Sequence, residues 1–195
     1  MFWRRLTIVL LFVIAVCARA DFKAGGDAYK KGDYKTAAAE FQAVAEKGDH
    51  RAMYALGSMY TAGNGVPQDY TMAMKWFLAA ARYGRPDAEF KVGLLYLQGL
   101  GVKQNARRAI NWFGKSAQQG YVDAQYYVGK MYAEGNGVTK DNVGACAWLN
   151  LAAMQGHPDA RTLLATLSNN MTPEQLKEAG RLSDSYRAQF SKRLQ

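Results

Sequence analysis

Four sets of residues recur in this chain at one interval of 36 positions. They are Ala52, Ala88, Ala124 and Ala160; Gly57, Gly93 and Gly129; Trp76, Trp112 and Trp148; and Gly84, Gly120 and Gly156. A period of this size corresponds to one pair of helices, and a single pair cannot bury its own apolar face. Neighbouring pairs therefore have to stack, and the sequence predicts an elongated repeat protein whose exterior is available to another macromolecule.

The residues within one unit predict both of its helices. Ala73, Trp76, Phe77 and Ala80 follow the spacing i, i+3, i+4 and i+7, which forms one apolar stripe of an α-helix. Glycines at positions 63 and 65 predict the end of a first, shorter helix, since glycine adopts the left-handed conformation that closes helices. Asp69 is placed to cap the second helix. The helical spacing of the tryptophans predicts packing between units and not a ligand-binding ladder.

The repeats divide the chain into six segments. A degenerate unit with a shorter loop precedes three full repeats, and half a repeat with a capping helix follows them. The predicted boundaries are 1–20 for a signal peptide, 22–51 for the degenerate unit, 52–87, 88–123 and 124–159 for the full repeats, and 160–195 for the final half-repeat with its cap.

The last helix has its own start signal. Thr172 and Gln175, with a proline between them, match a capping box, in which the two side chains bond each other's backbone amides. The residues predicted to line the buried face of this helix are Leu176, Ala179, Ser183, Tyr186 and Phe190. The opposite face is charged, as the end of a stacked array requires.

The amino terminus reads as an export signal. Arg4 and Arg5 precede an apolar stretch over residues 6–16, and small residues occupy positions 18 and 20. The stretch is shorter than the ~20 residues of a membrane-spanning helix. We expect cleavage between Ala20 and Asp21, a periplasmic or secreted mature protein and no transmembrane segment after cleavage. An uncleaved anchor and a lipid on Cys17 are the alternatives.

Charge limits the classes of partner. The full chain carries 25 basic and 16 acidic residues, and removal of the leader with its three arginines leaves a net charge of +6. Outside the cytoplasm such a chain is expected to bind another protein, possibly an acidic one, and no nucleic acid; contact with a membrane surface is also open. Cys146 would be the remaining thiol, and it is expected to be a small buried hydrophobic residue.

The residues offer no catalytic constellation. His50 and His157 lie just beyond glycine turns about three units apart, where exposed loop histidines are expected. None of the serines is followed three residues later by lysine, the spacing of lactam-hydrolysing enzymes. We therefore predict no catalytic residue, no cofactor and no metal site.

The order A-x-x-x-(L/V)-G-x-x-Y-x-x-G-x-G-V, followed by A-x-x-W and a closing glycine, resembles the Sel-one-like repeat, a relative of the tetratricopeptide repeat. The resemblance spans roughly residues 22–167. It implies an all-α fold, a right-handed α/α solenoid of tandem helix-turn-helix repeats. In one departure, Asn105 stands where the other full repeats have aspartate, which predicts a weaker helix cap.

The same resemblance implies the mode of action. Exported members act as adaptors, so we expect a non-catalytic protein-interaction scaffold of the bacterial cell envelope. The alternative is an immunity protein that neutralises a secreted toxin such as a phospholipase. A hydrolase of cell-wall or lactam substrates is a third hypothesis, because some members have been labelled β-lactamases.

Two sets of residues are candidates for partner binding. One set lies on the first helix of each repeat, on the face where the residues differ between repeats. Its members are Lys91, Leu94, Gln98, Tyr127, Lys130 and Glu134. The second is a basic run without any acidic residue between Glu89 and Asp123, and it comprises Lys91, Lys103, Arg107, Arg108 and Lys115. We expect the first face to line the concave groove and the second to attract an acidic partner.

Overall fold

A computed structural model describes residues 21–193, with side chains as far as Phe190. The predicted leader, residues 1–20, and both alternatives for it lie outside the described residues. Within the described range the chain forms ten α-helices and no β-strand. The chain divides after Asp69 into two compact units, and each is described by itself. Between residues 21 and 193, no helix combines the length and the apolar character needed to cross a bilayer.

The first unit, residues 21–69, contains three helices. They are α1 (Phe22–Lys30), α2 (Tyr34–Ala45) and α3 (His50–Ala62). An aspartate side chain caps the start of each helix by accepting a hydrogen bond from a backbone amide. Helix α2 packs against both α1 and α3, with Phe41 buried in the middle and its ring centroid 5.4 Å from that of Phe22.

The second unit, residues 70–193, contains seven helices. They are α4 (Tyr70–Ala81), α5 (Pro86–Gln98), α6 (Ala106–Gln118), α7 (Val122–Glu134), α8 (Asn142–Met154), α9 (Pro158–Ser168) and α10 (Pro173–Arg193). Helices α5 and α6 form one tightly packed pair, and α7 and α8 form the next. From α4 to α9, each helix also packs on the one that follows it, so α6 contacts α7 and α8 contacts α9.

The local signals act as the sequence predicts. All four residues of the predicted stripe on α4, Ala73 to Ala80, are buried. Gly99 and Gly135 end α5 and α7 in the left-handed conformation. Asn105 keeps the cap of α6, because its side-chain oxygen accepts a hydrogen bond from the Arg108 amide at 2.9 Å.

Helix α10 packs mainly along α8, not as the partner of α9. Its capping box is confirmed: Gln175 N donates to Thr172 Oγ1 at 3.3 Å, and Thr172 N donates to Gln175 Oε1 at 3.0 Å. Ala179, Ser183 and Phe190 of the predicted face are buried, and Tyr186 is half-buried.

The prediction for Leu176 is wrong, because 38% of that residue is exposed. Asn150 Nδ2 donates to Ser183 Oγ, while Tyr186 and Phe190 stack on Trp148 nearer the start of α8. These contacts with α8 lie in the second half of α10, whereas Leu176 lies in its first turn.

The core of the second unit continues from pair to pair. One hydrophobic cluster includes Phe90 on α5, Phe113 on α6, Met131 on α7 and Trp148 on α8, and it ends at Phe190 on α10. No single pair encloses this cluster. The buried apolar surface of each pair is therefore completed by its neighbours, as the repeat period requires.

Candidate functional site

Helix α6 combines an apolar face with a strongly basic one. Its buried residues are Ala109, Ile110, Phe113, Ser116 and Ala117. Arg107, Arg108 and Lys115 are exposed on the remaining surface, together with Asn111. The helical spacing that directs Phe113 into the core therefore directs these cations outward.

Three clefts adjoin one another along this exposed surface. The first, of about 420 Å³, is lined by Arg107, Ile110, Asn111, Gly114, Lys115, Gln118, Val128, Tyr132, Gly137, Val138, Thr139 and Trp148. The second, which we call the Trp112 cleft, has about 400 Å³ and is lined by Tyr96, Arg108, Asn111, Trp112 and Lys115. The third, of about 420 Å³, is lined by Tyr96, Val102, Lys103, Gln104, Asn105 and Arg108.

Shared residues join the clefts into one surface, which we call the α6 surface. Asn111 and Lys115 belong to the first and second clefts, and Tyr96 and Arg108 belong to the second and third. The α6 surface carries four cations, Lys103, Arg107, Arg108 and Lys115, and no carboxylate lines any of its three clefts.

Two cations of the α6 surface lie beside aromatic rings. Lys115 Nζ lies 4.2 Å from the centroid of the Trp112 ring, and Arg108 Cζ lies 5.5 Å from that of Tyr96. Arg108 Nη1 also donates a hydrogen bond to the Tyr96 hydroxyl at 3.4 Å. Among the described residues, none of the four cations of the α6 surface forms an ion pair. Apart from the electrostatic interaction of Lys115 with Glu89, their positive charge is available to an anionic partner.

The predicted groove residues have a different setting. Leu94 and Tyr127 pack against the core cluster, and the Tyr127 ring centroid lies 5.0 Å from that of Phe113. Lys130 Nζ lies 3.9 Å from Glu134 Oε1 on the same helix, and Gln98 is exposed. Replacing Tyr127 would therefore disturb packing as well as any surface contact. The role of these residues, and of the half-buried Lys91, in binding a partner stays a prediction.

The sequence missed Trp112 as a cleft residue. It was expected to be in the core by analogy with Trp76 and Trp148, which are 9% and 7% exposed. Trp112 is only half-buried. The sequence did contain a signal for this exposure on the same helix. Arg108 and Lys115 occupy the positions that Gly144 and Leu151 hold in the next repeat.

The first unit holds an apolar cleft of about 330 Å³. Its lining residues are Gly26, Tyr29, Lys30, Phe41, Tyr54, Ala55, Ser58 and Met59. Ala55 and Ser58 occupy the repeat positions of Lys91 and Leu94, so the variable face borders a cleft in this unit.

The expectation of exposed loop histidines is wrong for His157. Only 12% of its side chain is exposed, since the ring stacks on Tyr126 with the centroids 4.5 Å apart. Its Nδ1 accepts a hydrogen bond from the Ala160 amide at 3.3 Å, so this histidine caps α9. His50 is half-buried at the first position of α3. Neither is an exposed loop residue.

Cys146 is buried as expected, and burial raises the pKa of its thiol. The protonated thiol therefore predominates more strongly than in an exposed cysteine. No group of three or more potential metal ligands occurs among the residues that the structure describes.

A buried carboxylate lies just beneath the α6 surface. Glu89 is 6% exposed and accepts a hydrogen bond from Gln119 Nε2 at 2.7 Å. Burial raises the pKa of Glu89, and the charge of Lys115 and the bond from Gln119 oppose that rise. One repeat later the same positions hold Gln125 and Gln155, whose side chains are bonded at 2.8 Å.

We expect Glu89→Gln to raise the free energy of unfolding at neutral pH. A folded-state pKa above the unfolded value means that the stabilising contribution of the protonated acid is present below the unfolded pKa and is lost as pH rises through the folded one. Glutamine is neutral at every pH, so the variant does not lose this stability at neutral pH. Its advantage over the wild type in free energy of unfolding should shrink as pH falls below the unfolded pKa of glutamate. Urea unfolding at several pH values measures it.

Gln125→Glu is the matched reverse change for this prediction. It buries a charge at a position 2% exposed and removes the donor to Ala117 O, so it should destabilise most at neutral pH. Equal and pH-independent stabilities of the wild type and both variants would contradict the prediction.

Comparison with known proteins identifies the repeats. The family model described as Sel1 repeat matches residues 50–84, 86–121 and 122–157. A solved Sel1 repeat protein from Oxalobacter formigenes is 29% identical with a TM-score of 0.70, over 74% of this chain and 59% of that one. A protective antigen of uropathogenic Escherichia coli strains, which displays an SLR fold, is 35% identical with a TM-score of 0.75, over 85% of this chain and 38% of that one.

A more distant structure shows the fold alone. Cysteine rich protein B of Helicobacter pylori is 21% identical with a TM-score of 0.54, over 68% of this chain and 95% of that one. No curated protein matches the chain. The chain spans less than two thirds of the Oxalobacter and Escherichia structures. The predicted fold class, an all-α helical repeat solenoid, is confirmed.

Proposed function

Because the chain belongs to the Sel1 repeat family, we propose that it is a non-catalytic scaffold of the bacterial cell envelope that binds an acidic partner protein on the α6 surface. Sel1 repeat proteins generally mediate interactions between proteins, and their fold is generally a non-catalytic scaffold. The proposal of an acidic partner rests on the α6 surface, which has four cations, aromatic rings and no lining carboxylate.

The electrostatics of the α6 surface favour an acidic partner. Surface cations attract an oppositely charged protein over about 8 Å at physiological ionic strength and raise its association rate. The rings of Tyr96, Trp112 and Trp148 supply the apolar contact area that interfaces between proteins prefer. A small anion would use the charges alone, whereas a protein can use both features.

Neutralising the α6 surface should slow capture of the partner. We expect replacement of Lys103, Arg107, Arg108 and Lys115 by glutamine to lower the association rate roughly tenfold at low salt and to remove most of its salt dependence. The control variant replaces the exposed Lys23, Lys47, Lys140 and Lys177 by glutamine, which changes the net charge equally. Equal rates for the two variants would contradict a role of the α6 surface.

Photo-crosslinking in the source cell tests where the partner binds. A crosslinking amino acid at Asn111 reports on the α6 surface, one at Gln98 reports on the predicted groove face, and one at the exposed Thr162 serves as the control. We expect a protein adduct at Asn111 that depends on the basic residues. An adduct at Gln98 alone would favour the groove face, and no adduct at either position would contradict the scaffold proposal.

Export is the part of the proposal that concerns the amino terminus. The basic, apolar and small-residue segments of positions 1–20 support cleavage after Ala20. Mass spectrometry of the protein from fractionated cells should find Asp21 at the amino terminus in the periplasmic or secreted fraction. A chain that retains its first residues in the cytoplasm would contradict export.

A further inference from the structure

The last full repeat shows how a helix docks beside the tryptophan of a repeat. Helix α10 lies along α8, and its Tyr186 and Phe190 rings stack on Trp148 with centroids 4.7 and 5.6 Å away. Burial raises the pKa of Tyr186, and the nearby Tyr132 and Asp141 raise it further. Two aromatic residues at i and i+4 of α10 therefore cover Trp148 beside Tyr132.

The Trp112 cleft is the same surface one repeat earlier. A shift of 36 positions converts Tyr132 into Tyr96 and Trp148 into Trp112, the two rings that line this cleft. The same shift converts Gly144, Ala147 and Leu151 of α8 into Arg108, Asn111 and Lys115 of α6. These three residues of α8 are buried, whereas their three counterparts on α6 are exposed.

We propose that the Trp112 cleft binds an aromatic side chain carried on an acidic helix of the partner protein. This inference deepens the proposed function and rests on it. The template is internal, because α10 docks on the equivalent surface through aromatic residues. Small and apolar residues on α8 are replaced by basic and polar residues on α6. The helix that fits therefore changes from one with an apolar contact face to one with an acidic contact face.

The contacts around Trp112 indicate how such a helix would bind. Lys115 Nζ lies over the Trp112 ring, whereas the Tyr186 ring stacks on Trp148. An incoming aromatic side chain would stack on Trp112, and the displaced ammonium group would pair with a carboxylate of the same helix. Arg108, at the other side of the cleft, would pair with a second carboxylate. The ring and the charges are therefore both required.

A peptide derived from α10 is a suitable probe. It copies residues 173–190 of this chain with Lys177, Arg181 and Arg187 each replaced by glutamate, so that it keeps Tyr186 and Phe190 and gains acidic charge. The full chain is labelled with ¹⁵N, and the indole N–H signal of Trp112 is assigned with a Trp112→Phe variant. We expect the peptide to shift the Trp112 signal and to leave that of Trp76 in place.

Two matched changes separate the ring from the charges. A peptide with Tyr186→Ala and Phe190→Ala should bind about tenfold more weakly, as should the Arg108→Gln/Lys115→Gln protein with the complete peptide. The Lys140→Gln/Lys177→Gln protein, with the same net charge, should bind the complete peptide as the wild type does. Equal binding of the two peptides, or unchanged binding by the Arg108→Gln/Lys115→Gln protein, would overturn the proposal.

Vesicles test a membrane as the occupant. Binding of phosphatidylglycerol vesicles that depends on Arg108 and Lys115, with no binding of the complete peptide, would overturn the proposal in favour of a lipid surface. A partner adduct at Asn111 or Gln98 without peptide binding would overturn it too, but would leave the scaffold function standing. The two failures are thus distinguishable.

Discussion

A Gly137→Ala variant is expected to lose about 2–5 kcal/mol of its free energy of unfolding. Gly137 has a φ of 74°, in the left-handed region that costs alanine about 1–2 kcal/mol. A Cβ atom at this position would also overlap the backbone carbonyl of Ala106 and lie 2.7 Å from the Arg107 amide nitrogen. Because the obstacle is backbone, no side chain can move aside, and overpacking adds about 1–3 kcal/mol.

Gly120→Ala is the control that isolates the backbone overlap. Gly120 has a φ of 85°, but a Cβ there would meet no atom within 4 Å. This variant should therefore lose only the conformational part, about 1–2 kcal/mol. Equilibrium unfolding in urea measures both. Equal losses of stability in the two variants would show that α6 shifts to accommodate the added methyl group. The contact of Gly137 with α6 would then not fix the position of that helix.

This close approach links the repeat to the candidate site. Gly137 belongs to the turn between α7 and α8, and the atoms that it contacts form the first turn of α6. Gly101 makes the same approach one repeat earlier, against the backbone of Tyr70 at the start of α4. The turns thus set the spacing of successive second helices. They also fix the backbone from which Arg107 and Arg108 project.

Most of the fold could be predicted because it depends on local, repeated features. The period gives the helix pairs, the glycines give their ends, and the Thr172 and Gln175 pair gives the start of α10. Each signal concerns residues close in sequence, where steric and hydrogen-bonding preferences act within one or two turns.

The errors concern long-range packing. His157 sits in a turn, yet it stacks on Tyr126 and is largely buried. Leu176 shares the spacing of the buried face, yet it is exposed. In each case the helical spacing was right, but burial of a side chain depends on which other part of the chain packs against it. That information is absent from a single repeat.

The candidate site was predicted in part for the same reason. The basic run identified Arg107, Arg108 and Lys115, since charge can be read directly from the sequence. The sequence did not predict that these cations line clefts together with Trp112 and Trp148, because every full repeat carries a tryptophan at that position. The tryptophans differ in burial: Trp76 and Trp148 are buried, whereas Trp112 is half-buried.

Replacing Trp148 by alanine should lower the free energy of unfolding by about 3–5 kcal/mol. The ring is 7% exposed and contacts both the core cluster and the Tyr186 and Phe190 rings of α10. Its removal leaves a cavity between α8 and α10, which the two remaining rings can fill only in part. Equilibrium unfolding in urea measures the loss, and hydrogen exchange should show faster exchange of the α10 amides than in the wild type.

Trp112→Ala is the matched change at the same position of the preceding repeat. Trp112 is half-buried and lines an open cleft, so its removal loses less buried area and should cost about half as much or less. It should leave exchange in α10 unchanged. Equal losses from the two variants would mean that α10 contributes nothing to the burial of Trp148. In that case the docked helix could not serve as the template for a partner at the Trp112 cleft.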